Sequence, residues 1–211
     1  MKVNEIFLSI QGEGINQGLP TVFVRLAGCN IRCSYCDTVY ALNPKGEDVQ
    51  DLTPEEVIEQ IVKLSPWVLT RVCITGGEPL VQELEVDHLV RLLSKYNYYI
   101  EVFTNGTIDR PFWWTRVSSW VVDIKCPSAK IKSCPTKYTD WYNMRKQDQV
   151  KFTVGSVEDL VFAASQVGTL ATKNVTIIVS PITDPKQDIR DNQKWLQTVA
   201  QFCIRHRVRF S

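Results

Sequence analysis

Long apolar runs are missing from this chain of 211 residues. No stretch approaches the ~20 consecutive apolar residues of a membrane span, so no membrane association is expected. The opening MKVNEIFLSIQGEG lacks the apolar core and small-residue cleavage site of a signal peptide. An excess of charge is missing too. The 24 Lys and Arg balance 23 Asp and Glu, a formal +1, which argues against general affinity for nucleic acid or an anionic surface. The short RHRVR near the end is too brief to reverse that. Repeats, low-complexity tracts and linkers are also lacking, and residues 1–211 are expected to form one domain. Seven cysteines, an odd number without a secretion signal, predict a reducing, cytoplasmic setting.

What is present is an alternation of strand-like and helix-like segments. TVFVRLAG, RVCITG, YYIEVFTN, SWVVDIK, QVKFTVG and NVTIIVSPI read as strands. LTPEEVIEQIVKLS reads as a helix, with Thr53 as N-cap, Pro54 at the first helical position and Glu56 three residues after the cap. Its Val57, Ile58, Ile61 and Leu64 recur at helical spacing. VDHLVRLLSKY, VEDLVFAASQVG and roughly DNQKWLQTVAQFCIRH complete the helices, while Thr104 to Ser119 has room for only a turn or two around RPFWWTR. The expected architecture is α/β: a partial, open TIM-type barrel of about six mostly parallel strands with reduced helices. In such folds ligands sit at the C-terminal ends of the strands. The segments there are CNIRCSYCDT, TGGEPL, TNGT, KCPSAK and SPITDP, and a parallel sheet would bring all five to one rim.

The first of them places Cys29, Cys33 and Cys36 within eight residues. Disulfides pair thiols, and structural zinc ordinarily takes four ligands. Three thiolates suit a four-iron cluster with one iron left open. The residues alone leave a zinc site completed by Cys73 or a histidine, or unrelated free thiols, as alternatives. Cys126 and Cys134 lack ligand spacing and are expected to be spare, like Cys73 and Cys203. His88 and His206 read as structural or surface groups. The glycines of QGEGINQG precede no helix, so a dinucleotide loop is not expected. Without basic companions, PFWWTR is expected in a core or a dimer contact rather than as a nucleic-acid platform. Asp123 and Lys125, at a strand end, read equally as site residues or a structural ion pair.

Cx3CxxC with Tyr35 before the third cysteine resembles the radical S-adenosylmethionine family, and ITGGEPL at Ile74–Leu80 resembles that family's second motif. The resemblance implies a radical S-adenosylmethionine core. A [4Fe-4S] cluster would be held by Cys29, Cys33 and Cys36, and the methionine moiety of S-adenosylmethionine would chelate its open iron to give a 5′-deoxyadenosyl radical. FLSIQGEGINQGLPTVFVRLAGCN, the CDT after the cluster loop and DIKCPSAK are similar to segments of the 7-carboxy-7-deazaguanine synthases, densest from Phe7 to Pro79. That similarity implies a carbon–nitrogen lyase of the pathway to queuosine or archaeosine. It would contract the ring of 6-carboxy-5,6,7,8-tetrahydropterin to 7-carboxy-7-deazaguanine, with loss of ammonia.

The same resemblance implies residue roles. Ile10, Gln11, Gly12, Glu13, Arg25 and Thr75 would meet the substrate, Arg25 through its carboxylate. Tyr35, Cys36, Asp37, Gly77, Cys126, Pro127 and Ser128 would meet S-adenosylmethionine, and Thr38 would bind Mg²⁺. No side chain would be catalytic in its own right, since the radical comes from the cofactor. A flavodoxin- or ferredoxin-like electron donor and a homodimer are implied as partners, with no direct contact to nucleic acid. The chain departs from the family pattern at EVFTNGT, where Phe103 replaces a common glutamate, with Glu101 two residues earlier on the same strand face. It also stops at RVRFS, in the middle of a strand-like segment, where family members commonly carry a QTHK-like tail; truncation or another means of closure is expected. A glycyl-radical activating enzyme, which shares Cx3CxxC but not QGEG and CDT, and a zinc-stabilised binding module are the alternatives.

Overall fold

The computed structural model describes residues 1–65, 70–131, 141, 144–171, 175–184, 186 and 188–211. Among them nine strands form one sheet in the order β3-β1-β2-β4-β5-β6-β7-β8-β9. From β2 (Pro20–Leu26) through β4 (Arg71–Gly76), β5 (Tyr99–Thr104), β6 (Ser119–Asp123), β7 (Gln149–Val154), β8 (Thr176–Pro181) and β9 (Arg209–Phe210), every neighbouring pair is parallel. β1 (Lys2–Ile10) and β3 (Gln50–Asp51) extend the β2 edge antiparallel. The six long parallel strands match the expected partial barrel. β1 was not foreseen, because its KVNEIFLSI carries apolar and polar residues on both faces at an edge. RVRFS does contain a strand, β9.

Four helices cover the outer face: α1 (Pro54–Leu64), α2 (Glu83–Lys95), α3 (Val157–Ala171) and α4 (Ile189–His206). The α1 capping box is formed, Glu56 N–H donating to Thr53 Oγ1 at 3.2 Å and Thr53 N–H to Glu56 Oε2 at 2.7 Å, a device that stabilises a helix start by about 1 kcal/mol. α2 begins three residues earlier than its apolar spacing suggests, on a short 3₁₀ turn at Pro79–Gln82.

Strand alternation divides the sheet's residues. Val22, Val24, Val72, Ile74, Ile100, Val102, Trp120, Val122, Val150, Phe152, Ile177 and Val179 are buried beneath the helices as the core. The intervening positions, among them Arg25, Thr75, Glu101, Asp123, Lys151, Thr153 and Ser180, point to the other side and supply its polar groups. RPFWWTR behaves as a core element: Trp113 stacks on Trp120, ring centroids 5.7 Å apart, and Trp120 on Trp141 at 5.2 Å. Only Phe112 of that segment is strongly exposed among its large apolar residues. No helix among the described residues is long and apolar enough to cross a membrane.

Candidate active site

A pocket of about 610 Å³ opens at the C-terminal ends of the parallel strands. Every one of the six long parallel strands contributes to it: Arg25 from β2, Thr75 from β4, Phe103 from β5, Asp123 from β6, Lys151 and Thr153 from β7, and Ser180 from β8. All five strand-end segments singled out in the sequence reach its wall, as that alternation requires.

Cys29, Cys33 and Cys36 lie on that wall, each partly buried. Burial pushes the Cys29 and Cys33 thiols above the usual range; Lys125 partly counters this at Cys33. Among the described residues no three His, Cys, Asp or Glu side chains gather tightly enough to hold one metal ion. The donor set on the wall is all-thiolate, the ligand chemistry of an iron–sulfur cluster.

The loop carrying these thiols is held chiefly by hydrogen bonds between oxygen and nitrogen groups. Gly28 N–H donates to Ala41 O at 2.8 Å, Ser34 N–H to Ala129 O at 3.0 Å, and Ser34 Oγ–H to Ser128 O at 2.6 Å. Ser128 and Ala129 thus brace the loop, while Cys126, Pro127 and Ser128 follow directly on Lys125 of the pocket wall without lining it themselves. The Cys126 thiol turns to Ile124 O, and Asp159 accepts from Ser128 N–H at 2.8 Å. Tyr35, Cys36, Asp37 and Thr38 do line it. Thr38 Oγ–H points to Asp37 Oδ1 at 3.3 Å.

The glycine segment after β4 lies against the start of this loop. Glu78 beneath it was not singled out from the sequence, although it stands inside TGGEPL. It is fully buried and accepts from Leu80 N–H at 3.0 Å, Thr104 Oγ–H at 2.9 Å and Asn105 N–H at 2.7 Å. Burial pushes its carboxyl up, against those three donors. Asn105 in turn points its amide at Cys29 Sγ, 3.9 Å away.

On the opposite wall Ile10, Gln11, Gly12, Glu13, Arg25 and Thr75 all line the pocket. Arg25 lies between the rings of Phe7 and Tyr40, and its Nε–H donates to Glu5 Oε1 at 2.6 Å, an acceptor shared with Tyr40 Oη at 2.8 Å. Held at Nε, the guanidinium keeps its terminal nitrogens for a carboxylate. Glu13 is not free: Lys151 Nζ donates to it at 2.6 Å, tying the loop after β1 to β7.

Asp123 and Lys125 form a 2.7 Å pair in the pocket, with Lys125 Nζ 5.8 Å from the Tyr35 ring centroid on the side of the cluster loop. Burial works to raise the Asp123 carboxyl, but Lys125 and Lys151 outweigh it and hold it low. Burial likewise works to lower Lys125, and Asp123, with Tyr35 and Cys33, outweighs that. The pair is charged and belongs to the site. Lys151, Thr153 and Ser180 were missed; the alternation of QVKFTV, polar at every inward position, and of TIIVSP, polar inward at Thr176 and Ser180 but not at Ile178, is the signal that carries them. His88 pairs with Glu55 at 3.1 Å on the surface and His206 lies on the Phe202 ring; neither reaches the pocket. Cys73 is buried in the pocket wall, Cys203 is buried elsewhere, and Cys134 lies outside the described residues.

Comparison with known proteins agrees with this geometry. Residues 23–117 match the Radical SAM superfamily. The chain is 40% identical over 185 residues to the 7-carboxy-7-deazaguanine synthase of Methanospirillum hungatei JF-1, covering 86% of this chain and 73% of that one. It is 33% identical to the synthase of Hyperthermus butylicus, covering 100% of this chain and 89% of that one. Its fold resembles the crystal structure of QueE from Escherichia coli, with a TM-score of 0.72 and 24% identity over 99% of this chain and 92% of that chain. These relatives decide between the alternatives left open by the cysteine spacing, in favour of the radical S-adenosylmethionine reading over the zinc module and the activating enzyme.

Proposed function

Because the chain belongs to the 7-carboxy-7-deazaguanine synthases of the Radical SAM superfamily, we propose a division of its pocket into a cofactor wall and a substrate wall. The enzyme is a carbon–nitrogen lyase that converts 6-carboxy-5,6,7,8-tetrahydropterin to 7-carboxy-7-deazaguanine, with ring contraction and loss of ammonia. The observation that carries the division is the placement of three thiols and an arginine held only at Nε on the same 610 Å³ pocket.

On the cofactor wall Cys29, Cys33 and Cys36 hold the [4Fe-4S] cluster, and Tyr35, Asp37 and Gly77 flank S-adenosylmethionine. Cys126, Pro127 and Ser128, next to Lys125 of the pocket wall, complete the surroundings of S-adenosylmethionine, and Ser128 also braces the cluster loop through Ser34. Bound there, cluster and S-adenosylmethionine supply a 5′-deoxyadenosyl radical that abstracts hydrogen from the substrate. On the substrate wall Arg25 takes the carboxylate and Thr75 and Ile10–Glu13 surround the ring. The Glu13–Lys151 bridge holds the loop after β1 over the pocket. Thr38 contributes a hard oxygen to Mg²⁺, which keeps water or substrate oxygens in its remaining positions. An electron donor of the flavodoxin or ferredoxin kind, a cytoplasmic setting and a homodimer, the commonest symmetric assembly, complete the reading. The need for a low-potential electron and the chain's many reduced thiols support the first two.

The test is anaerobic. Reconstituted, reduced protein with S-adenosylmethionine, Mg²⁺ and 6-carboxytetrahydropterin is expected to yield 7-carboxy-7-deazaguanine by mass spectrometry. Formation of 5′-deoxyadenosine alone would remove this substrate from the assignment. Arg25→Lys removes the fork and its Nε anchor on Glu5, and charge-assisted hydrogen bonds contribute about 1.5–3 kcal/mol. It is therefore expected to raise KM for the pterin by ~10- to 100-fold while S-adenosylmethionine binding persists; an unchanged KM would place the carboxylate elsewhere. Thr38→Ala is expected to raise the Mg²⁺ concentration that gives half-maximal turnover. Unaltered metal dependence would take Thr38 out of the site.

A further inference from the structure

Beneath the substrate wall lies a buried carboxylate that the division above leaves unused. Glu101, on β5, is 2% exposed and stands in register with Cys73 of β4, which lines the pocket. Three amides donate to it: Gln11 Nε2 to Oε2 at 2.7 Å, and Asn16 Nδ2 and Gln149 Nε2 to Oε1 at 2.9 and 3.1 Å. An ionised carboxylate only accepts, so all three amides must turn their nitrogens inward and their oxygens away from it.

Those outward oxygens then hold the loop after β1. Gln11 Oε1 accepts from Glu13 N–H at 3.2 Å, Gln149 Oε1 from Ile15 N–H at 2.8 Å, and Asn16 Oδ1 from Arg71 Nη1 at 3.1 Å. The fit is close. A Cβ at Gly14, whose φ is +76°, would stand 2.5 Å from Gln149 Oε1, so only glycine passes there. Burial pushes the Glu101 carboxyl above its usual range, against the three amides and Arg71. The charge is thus a cost to the fold, since a neutral side chain would suit the same depth better.

We propose that Glu101 is a positioning residue for the substrate: by dictating the orientation of the Gln11, Asn16 and Gln149 amides it fixes the shape of the loop Gln11–Asn16 and the polar edge that loop offers to the pterin. The proposal rests on the reading that this loop meets the pterin. Glu101 touches neither substrate nor cofactor and acts through Gln11.

Glu101→Gln tests it at nearly constant volume. The new amide brings one donor where only acceptors stood, and at least one of the three amides must face it and turn over. Gln11 is the one that yields, because its side of the carboxylate holds a single partner. Its oxygen is then drawn from Glu13 N–H. The expected result is a KM for 6-carboxytetrahydropterin raised about tenfold or more, with a smaller change in kcat. Hydrogen exchange should quicken at the Glu13 amide more than in the strands of the sheet. Adding Gln11→Glu to that variant restores a complete circuit: Gln at 101 donates to the new carboxylate, which again accepts Glu13 N–H. That double variant should regain exchange protection at Glu13. An unchanged KM or unchanged Glu13 exchange in Glu101→Gln would overturn the proposal. So would a double variant whose Glu13 stays as unprotected as in the single one, and that exchange comparison serves equally if the single variant loses activity by folding poorly. Wild-type protein that makes no 7-carboxy-7-deazaguanine would overturn the substrate reading instead, and the exchange comparison would still judge the role of Glu101 in the loop.

Discussion

Cys33→Ala is expected to leave the protein folded and without its cluster. After anaerobic reconstitution it should show no iron–sulfur absorbance and no 5′-deoxyadenosine above background, and the same holds for Cys29→Ala and Cys36→Ala. Two thiolates cannot hold a cluster that presents one iron to a ligand from outside the protein, and among the described residues no other thiol stands on that loop to step in. Cys73 is buried in β4 and Cys126 turns to Ile124 O, away from the pocket. The loop's anchors include backbone groups, Ser34 and Asn30, and the Cys33 sulfur is not among them. Apo Cys33→Ala should therefore unfold at the same temperature as apo wild type. Cys73→Ala, measured alongside, should keep the chromophore. Absorbance retained in Cys33→Ala would mean that the ligands are misassigned, and a collapse of the apo melting temperature would mean that the loss is one of fold.

The contrast between these thiols and Glu101 explains what was legible in the sequence. Cys29, Cys33 and Cys36 stand close in the chain, as do Thr75 and Gly77, so local spacing carries their meaning. The parallel strands were legible for a similar reason: each is a short β-branched run closed by Gly, Pro, Ser, Thr or Asn, and the rim they form follows from direction alone. Glu101, Gln149 and Asn16 share a circuit across separations of 48 and 85 residues, and nothing in the neighbourhood of any one of them announces the others. Lys151 and Thr153 fall between these cases. Their inward face is written in the alternation of QVKFTV, but their meeting with Glu13 and Asp123 is set by sheet closure.

The placement of charge follows the same division. Polar groups on the pocket side sit in pairs, Lys125 with Asp123 and Lys151 with Glu13, while Glu78 and Glu101 are satisfied by neutral donors. The paired groups keep the wall charged yet locally balanced. Each single carboxylate instead fixes loops: Glu78 ties the glycine segment to Thr104 and Asn105, and Glu101 ties Gln11 to the sheet. Ser128 and Ala129 add to the scheme, since their carbonyls accept from Ser34 and so help govern where the three thiols stand.

Gly77→Ala should be among the most damaging substitutions that remove no functional atom. Past the ends of β2 and β4 the two chains continue to pair: Gly77 N–H donates to Leu26 O and Glu78 N–H to Gly28 O, each at 2.8 Å. A Cβ on Gly77 would lie 2.0 Å from Gly28 O and 2.6 Å from Gly28 C. The obstacle is backbone, which cannot swing aside as a side chain does, so one or both bonds must break. Gly28 is the residue from which the cluster loop departs, and its displacement carries Cys29 with it. The expected cost is about 3 kcal/mol, as for overpacking at a site unable to relax, or a fall in apo melting temperature of roughly 6–12 °C for a chain of this size. Affinity for S-adenosylmethionine should fall with it, by at least about a hundredfold. Gly168→Ala provides the comparison: it lies in α3 with nothing within 4 Å of the new Cβ, and should stabilise by about 0.5–1 kcal/mol. If Gly77→Ala melted and bound as wild type does, the close approach of the two segments would not be what shapes the cofactor wall, and the hold of Glu78 on Asn105 would have to position it instead.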